Sequence, residues 1–180
     1  MSLPEPYELL SDMAIRARSL ALELPPMQNS RTHADGLGFN LLGQRFVSSM
    51  DDVSELMRTP QTTRVPGVKN FVLGVGNVRG RLMTVIDLAL FFGKPSSLPK
   101  AQRRLLAVDN DESLVGFVID DSLGMQHFPA DSFSEDKSDV APEFETFVRG
   151  IYDVAGVRWP VLSLKSISQD PRLENLAISA

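Results

Sequence analysis

At 180 residues, 43% of them hydrophobic and 23% charged, the chain is long enough for one large domain or two small ones with a proper core, and its composition excludes fibrous and disordered classes. The absence of cysteine removes disulfides, zinc–thiolate sites and thiol catalysis, and suits a reducing cytoplasm. A net charge of −5 makes the long-range field unfavourable for nucleic acid or an anionic membrane. The opening MSLPEPYELL has no basic start followed by an apolar core, and no uninterrupted apolar run approaches the roughly 18 residues of a span, so a cytoplasmic protein without direct membrane insertion is expected.

Residues 7–24 place Leu9, Met13, Ala17, Leu20 and Leu24 on one helical stripe, which Pro25-Pro26 ends because proline cannot donate the next helical hydrogen bond. Residues 27–36 are polar and aperiodic and read as a linker. From Gly38 the texture turns to short strands. Phe39 and Leu41 alternate with small or polar neighbours, Gly43-Gln44 reads as a turn, and Arg45-Phe46-Val47 starts the return strand of a hairpin. Residues 50–57 are expected to form a short helical turn led by Asp51 or Asp52, with Val53 and Leu56 on its inner side. The central stretch Val65–Gly93 holds an apolar run at Phe71–Val75, an Arg79-Gly80 pair, and a long apolar segment with one acid, Asp87. Glycine accepts positive φ without steric cost, so Arg79-Gly80 reads as a hairpin turn with the guanidinium at its tip.

The second half repeats the first. Residues 74–88 align without gaps to 150–164 at an offset of 76, with Gly74/Gly150, Val78/Val154, Gly80/Gly156, Val85/Val161 and Leu88/Leu164 identical. Asp51-Asp52 and Pro60 align with Asp120-Asp121 and Pro129 at an offset of 69. Two related β modules explain this, and a small closed barrel per half fits the strand supply of each. The connection Lys94–Arg104, rich in proline, serine and positive charge, is expected to be exposed. Residues 131–145 read as a solvated acidic loop with a few apolar anchors, and the tail after Ile167 as a further short helical turn.

Familiar chemistry is mostly absent. In GVGNVRG the glycines at 74, 76 and 80 miss the dinucleotide spacing and precede a β-rich run rather than a helix. Gly93-Lys94 lacks the other residues of a phosphate-binding loop. His33 and His127 are the only imidazoles, and surface roles are expected for both. The acid pairs Asp51-Asp52, Asp109 with Asp111, and Asp120-Asp121 suit turns and caps better than magnesium or phosphoacceptor chemistry. Trp159 with Phe46, Phe71, Phe91, Phe92 and Phe117 reads as core. A small hydrolase or metal enzyme would require carboxylates and His127 to converge in one pocket.

The Phe39–Phe46 hairpin, Val53-Ser54-Glu55-Leu56 followed by Val65-Pro66-Gly67, Gly74–Gly80, Val85-Ile86-Asp87-Leu88, Val115–Asp120 and Val148-Arg149-Gly150 follow, in order, the pattern of the CheW-like chemotaxis adaptor family, which the chain resembles over about residues 38–167. The resemblance implies an all-β fold of two small five-stranded SH3-like β-barrels with an N-terminal helical extension: residues 1–37 as helix and linker, 38–168 as the CheW-like domain with halves at about 38–93 and 104–168, and 169–180 as a tail. It implies a non-catalytic adaptor without cofactors that bridges the regulatory domain of a CheA-like histidine kinase to the cytoplasmic tip of a methyl-accepting chemoreceptor, recruited to membrane-bound receptor arrays. The leading helix and Thr63–Val68 are similar to adaptors of systems that control type IV pili and twitching motility; a flagellar chemotaxis adaptor, or a fragment of the kinase's own regulatory domain, is the alternative within the fold. By motif, the receptor-contact residues are Val53, Glu55, Gly74, Val78, Arg79 and Gly80, with Gly150 at the equivalent turn in the second half. Gly74 and Gly150 are expected to permit close backbone approach rather than to bind. Ala155 stands where a second arginine would complete the repeat, so the contact is expected on the first half alone.

Overall fold

The computed structural model describes residues 33–110 and 113–177. The leading helix expected over 7–24, the first part of the linker and Asp111 lie outside the described residues. Twelve strands and four short α-helices are formed among them. In chain order these are β1 (His33–Leu41), β2 (Gln44–Ser49), β3 (Glu55–Arg58), β4 (Thr62–Thr63), β5 (Val72–Val78), β6 (Arg81–Asp87), α1 (Leu88–Phe91), β7 (Arg104–Asn110), β8 (Ser113–Ile119), β9 (Asp121–Pro129), β10 (Phe133–Ser134), α2 (Pro142–Glu145), β11 (Val148–Val154), β12 (Val157–Leu162), α3 (Leu164–Ser168) and α4 (Pro171–Glu174).

The strands make two six-stranded sheets, ordered β10-β11-β12-β2-β1-β9 and β4-β5-β6-β8-β7-β3. Each therefore has one strand more than the expected five, because two-residue strands β4 and β10 each add an edge. In these two orders every strand of one sheet stands opposite its repeat mate in the other, and each contains one parallel pair, β12 with β2 and β6 with β8. The sheets do not coincide with the halves 38–93 and 104–168. The first hairpin of each repeat is exchanged: β1 and β2 complete the sheet of β9–β12, while β7 and β8 complete that of β3–β6. The reason is burial. Phe39, Phe46, Ile86, Leu106 and Phe117, drawn from both sheets and both halves, share one core, and each exchanged hairpin presents its apolar face there.

Alternation along the strands sorts residues between two clusters. On β8, Val115, Phe117 and Ile119 enter the shared core, whereas Leu114 and Val118 join Met83, Val85, Leu105 and Ala107 on the opposite face. The shared core is rich in rings: Phe92 lies 4.5 Å from Phe144, and Phe71 meets Phe91 edge-on at 5.4 Å. Trp159 is only half-buried and belongs instead to an outer aromatic group, 5.7 Å from Phe128, with Arg45 over its ring.

Three local expectations are corrected. Strand β1 starts at His33, so 33–36 are ladder rather than linker, held to Phe128 and its neighbours on β9. The first hairpin turns at Leu42-Gly43, both left-handed (φ 53° and 76°), one residue earlier than expected. The cost of a left-handed leucine is offset by its N–H, which donates to Asp120 Oδ2 at 2.7 Å. In 50–57 only Met50–Asp52 is helical, a 3-10 turn capped by Ser49 Oγ. Glu55–Arg58 is strand, and Leu56 is exposed, because the chain must cross to pair with β7, an entry fixed by Ser54 N–H and Oγ donating to the Ala107 carbonyl. The tail forms its helical turn at α4.

Candidate partner-binding site

The β5–β6 hairpin carries Arg79-Gly80 at its tip, with φ of 52° and 81°. This left-handed pair matches the right-handed twist of the flanking strands, and Asn77 Oδ1 accepts the Gly80 N–H at 2.9 Å to lock it. Strand β3 forms an edge of the same sheet, and its first residue, Glu55, accepts from Arg79 Nη2 at 2.8 Å. The Arg79 side chain is 79% exposed and that of Glu55 32%. One guanidinium donor is thus directed at Glu55, and the remaining donors of the fork are left for solvent or a partner. Beside the turn, Arg81 pairs with Asp109 through both oxygens, and this hydrogen bonding holds the Asp109 carboxyl below the usual carboxylate range. Leu82 projects with 74% of its surface exposed, forming an apolar neighbour to the charged pairs.

The remaining residues expected here divide clearly. Val53 is half-buried immediately after the 3-10 turn and packs on the shared core, while Val78 packs on the second cluster. Gly74 lies inside β5 at a register shift with φ 139°, and a Cβ there would collide with the Thr63 carbonyl oxygen. It permits the close approach of β4. Gly150, expected at the equivalent turn of the second half, is instead buried inside β11, where a Cβ would strike the Phe133 ring and the Ser134 carbonyl. The fold therefore gathers Glu55, Val78, Arg79 and Gly80 in one region and leaves Gly150 outside it. Asn77, Arg81, Leu82 and Asp109 complete that region. The Asn-x-x-Gly spacing was the available signal for Asn77, whereas the Arg81–Asp109 pair depends on β7 standing near β6 through β8.

Below the hairpin, Asp87 ends β6 and caps α1 by accepting the Ala89 and Leu90 N–H groups. Its carboxylate also receives a two-pronged contact from Arg103, at 2.7 and 2.9 Å. Arg103 is 3% exposed, although it sits at the end of a connection expected to be solvated, and it also donates to the Val118 and Ile119 carbonyls. Asp120, near the same guanidinium, accepts from Leu42 N–H and Ser96 Oγ. The acids of the 51–52 and 120–121 pairs thus include two buried ones, Asp52 and Asp120, that tie distant segments together; Asp52 accepts from Ser163 Oγ and Lys165 N–H. His127 is 62% exposed and faces Asp35 on β1. Among the described residues no group of three or more histidines and acids is placed to hold a metal ion, and no helix is long and apolar enough to cross a membrane.

Residues 35–172 match the family model of the CheW-like domain, well over half of the chain. The chain belongs to the CheW-like family. Members of that family are non-catalytic scaffolds of chemotaxis-type systems. Across 173 residues the chain is 37% identical to protein PilI of Pseudomonas aeruginosa, covering 96% of this chain and 97% of that one. It is 28% identical over 120 residues to the chemotaxis protein CheW of Thermotoga maritima, covering 67% of this chain and 78% of that one. The crystal structure of the scaffolding protein TtCheW from Thermoanaerobacter tengcongensis superposes with a TM-score of 0.69 at 21% identity, over 81% of this chain and 99% of that one. That likeness establishes the CheW-like fold independently of close sequence similarity.

Proposed function

We propose that this CheW-like chain couples the cytoplasmic tip of a methyl-accepting chemoreceptor to the regulatory domain of a CheA-like histidine kinase, in a chemosensory system that controls type IV pili and twitching motility. The observation that carries the receptor half is the meeting of Glu55 and Arg79, 24 residues apart in sequence, as a 2.8 Å pair on an exposed sheet edge. An arginine held at a hairpin tip, with most of its donors unspent, suits a carboxylate or the carbonyls of a helical-hairpin tip, and Val78 and the exposed Leu82 supply apolar ground beside it. Each six-stranded sheet, on this reading, curls as the wall of a small barrel and presents its hairpin rigidly. The pilus branch is supported by the near full-length likeness to PilI.

The adaptor works by position rather than by chemistry. A micromolar partner contact requires about 8 kcal/mol at standard state, which interfaces of about 1,200–2,000 Å² commonly supply. Size-exclusion chromatography with light scattering, on this protein mixed in turn with the kinase regulatory domain and with a receptor cytoplasmic fragment from the same cell, tests the reading. Co-elution with the kinase domain at defined stoichiometry, strengthened by the receptor fragment, is expected. Absence of any shift well above micromolar concentration would overturn it.

A further inference from the structure

The two sheets differ on the face turned away from the shared core. In the sheet of β3–β8 the second cluster closes that face: Leu105 of β7 stands opposite Val118 of β8, and Leu73 of β5 packs against the same cluster. The repeat mates of these three residues are Gly36, Ser49 and Arg149. Gly36 and Ser49 lie 69 residues before Leu105 and Val118 and pair with each other in the same register, and Arg149 lies 76 residues after Leu73. All three line one open-mouthed pocket of about 250 Å³ beside the start of β1. Val47 makes up part of the loss, since it covers Gly36 so closely that a Cβ there would collide with it. What remains is bounded by aliphatic Val47 and Val161 and by three rings, with Phe128 stacked on Tyr152 at 4.5 Å and Phe133 at 5.1 Å from Tyr152. Of the polar groups around it, Ser49 Oγ accepts the Asp51 N–H and Asp35 is met by His127. Arg149 is different. It is exposed, donates once to Ser163 Oγ at 2.9 Å, and has no carboxylate partner among the described residues.

We propose that this pocket is a binding site for a small aromatic carboxylate, its ring taking the place left by the aliphatic side chains of the other module and its carboxylate lying on Arg149. Three features define that ligand. The size of the pocket, at the small end for ligand sites, limits the body to a single ring. The surface of Phe128, Phe133, Tyr152, Val47 and Val161 favours an apolar, aromatic body over a polar one. The unspent donors of Arg149 select an anion, because a guanidinium bonds a carboxylate through charge-assisted, two-pronged contacts. The site is independent of the receptor reading, since Glu55 and Arg79 belong to the other sheet. Its failure would leave that reading standing.

The test titrates the full chain with 3-phenylpropionate and, separately, with its neutral analogue 3-phenylpropanol, following amide and methyl NMR shifts. Shifts at Ala34, Gly36, Val47 and Val161 are expected, with a dissociation constant of about 1 mM or below for the acid, in keeping with its few heavy atoms. The alcohol is expected to bind at least about fivefold more weakly. Arg149→Gln should bring the two ligands to equal affinity, which a merely structural role for Arg149 would not do. Ala34→Leu fills the pocket from β1 without touching Arg149, and should weaken both ligands about tenfold or more. The native protein alone can overturn the proposal, by showing no shift at the lining residues up to about tenfold above the expected constant, or equal affinity for acid and alcohol. A preference for the acid that survives in Arg149→Gln, or undiminished binding to Ala34→Leu, would overturn it as well.

Discussion

The hairpins β5–β6 and β11–β12 share a backbone and differ in chemistry. Arg79-Gly80 has φ of 52° and 81°, and Ala155-Gly156 has 52° and 79°. Each turn is locked by the residue two before it, Asn77 or Asp153, accepting the glycine N–H. Each hairpin ends in a capped short helix, with Asp87 N–H bonded to Phe71 O and Ser163 N–H to Phe147 O. On the first, however, Arg79 faces Glu55. On the second, Ala155 has no such side chain, and the position 69 residues after Glu55 is Gly124. The buried node at the hairpin's foot diverges in the same way: Asp87 is gripped by Arg103, whereas Ser163 is met by Arg149 Nη2 and Asp52. Turn chemistry and strand pairing are enough to keep a repeated backbone, so side chains at the tip and the foot are free to specialise.

The sharpest break in this comparison lies at the foot. Replacing Arg103 by methionine leaves Asp87 buried without its cation, and a loss of about 3–5 kcal/mol in urea unfolding is expected. At the counterpart, Arg149→Met removes an exposed donor to Ser163, and a loss of at most about 1 kcal/mol is expected. Equal losses would mean that the two nodes are not specialised as described.

Next in size are the glycines of the two ladders. Gly74→Ala combines an unfavourable φ of 139° with a backbone collision, and should cost on the order of 3 kcal/mol. Gly150→Ala meets the Phe133 ring and the Ser134 carbonyl oxygen, but its φ is not left-handed. A smaller cost, about 1–2 kcal/mol, is expected from thermal unfolding.

The tips come third, and there the readout is binding rather than stability. Arg79→Ala should weaken receptor binding by about 2 kcal/mol, roughly 30-fold, with the fold and kinase binding intact. Ala155→Arg should not create a second receptor site, since no Glu55 counterpart stands beside it. Titration calorimetry on both variants checks this, and equal loss of both partners in Arg79→Ala would count against the receptor assignment.

The smallest effect is electrostatic. The hydrogen bond from Arg81 holds the Asp109 carboxyl below its ordinary value. A lowered folded-state value means that the pairing contributes fully above the ordinary carboxylate range, near pH 4, and is lost as pH falls through the lowered value. Carboxyl NMR on Arg81→Ala should show the Asp109 titration moving upward toward that range.

Much of this was legible in the sequence, for local reasons. Asn77, Gly80, Asp153 and Gly156 announce both hairpins, because their side chains or φ freedom satisfy a turn within four residues. The offset of 76 between 74–88 and 150–164 survives in the structure as β5, β6 and α1 against β11, β12 and α3. Residues 50–57 misled because Asp51, Asp52 and Val53 resemble a helix start, while the pull of β7 on Glu55–Arg58 lies some fifty residues away. Arg103 was hidden by its neighbours: proline, serine and lysine mark a solvated connection, and nothing nearby reveals that its guanidinium turns inward to Asp87. In the candidate site, Arg79 at a hairpin tip could be read from the turn, and Glu55 came from the family pattern. Their pairing awaited the fold.

Short-range sterics, the freedom of glycine and the order of apolar residues settled where the strands and turns fall and that two related modules follow one another. Tertiary packing settled which sheet each hairpin joins. A hairpin satisfies its own inner hydrogen bonds wherever it docks, so its sequence is silent about its partner strands. Phe39, Phe46, Leu106 and Phe117 reach a common core only when β1–β2 and β7–β8 exchange places. That exchange sets β7 between β8 and β3, with Asp109 beside Arg81 and Glu55 within reach of Arg79.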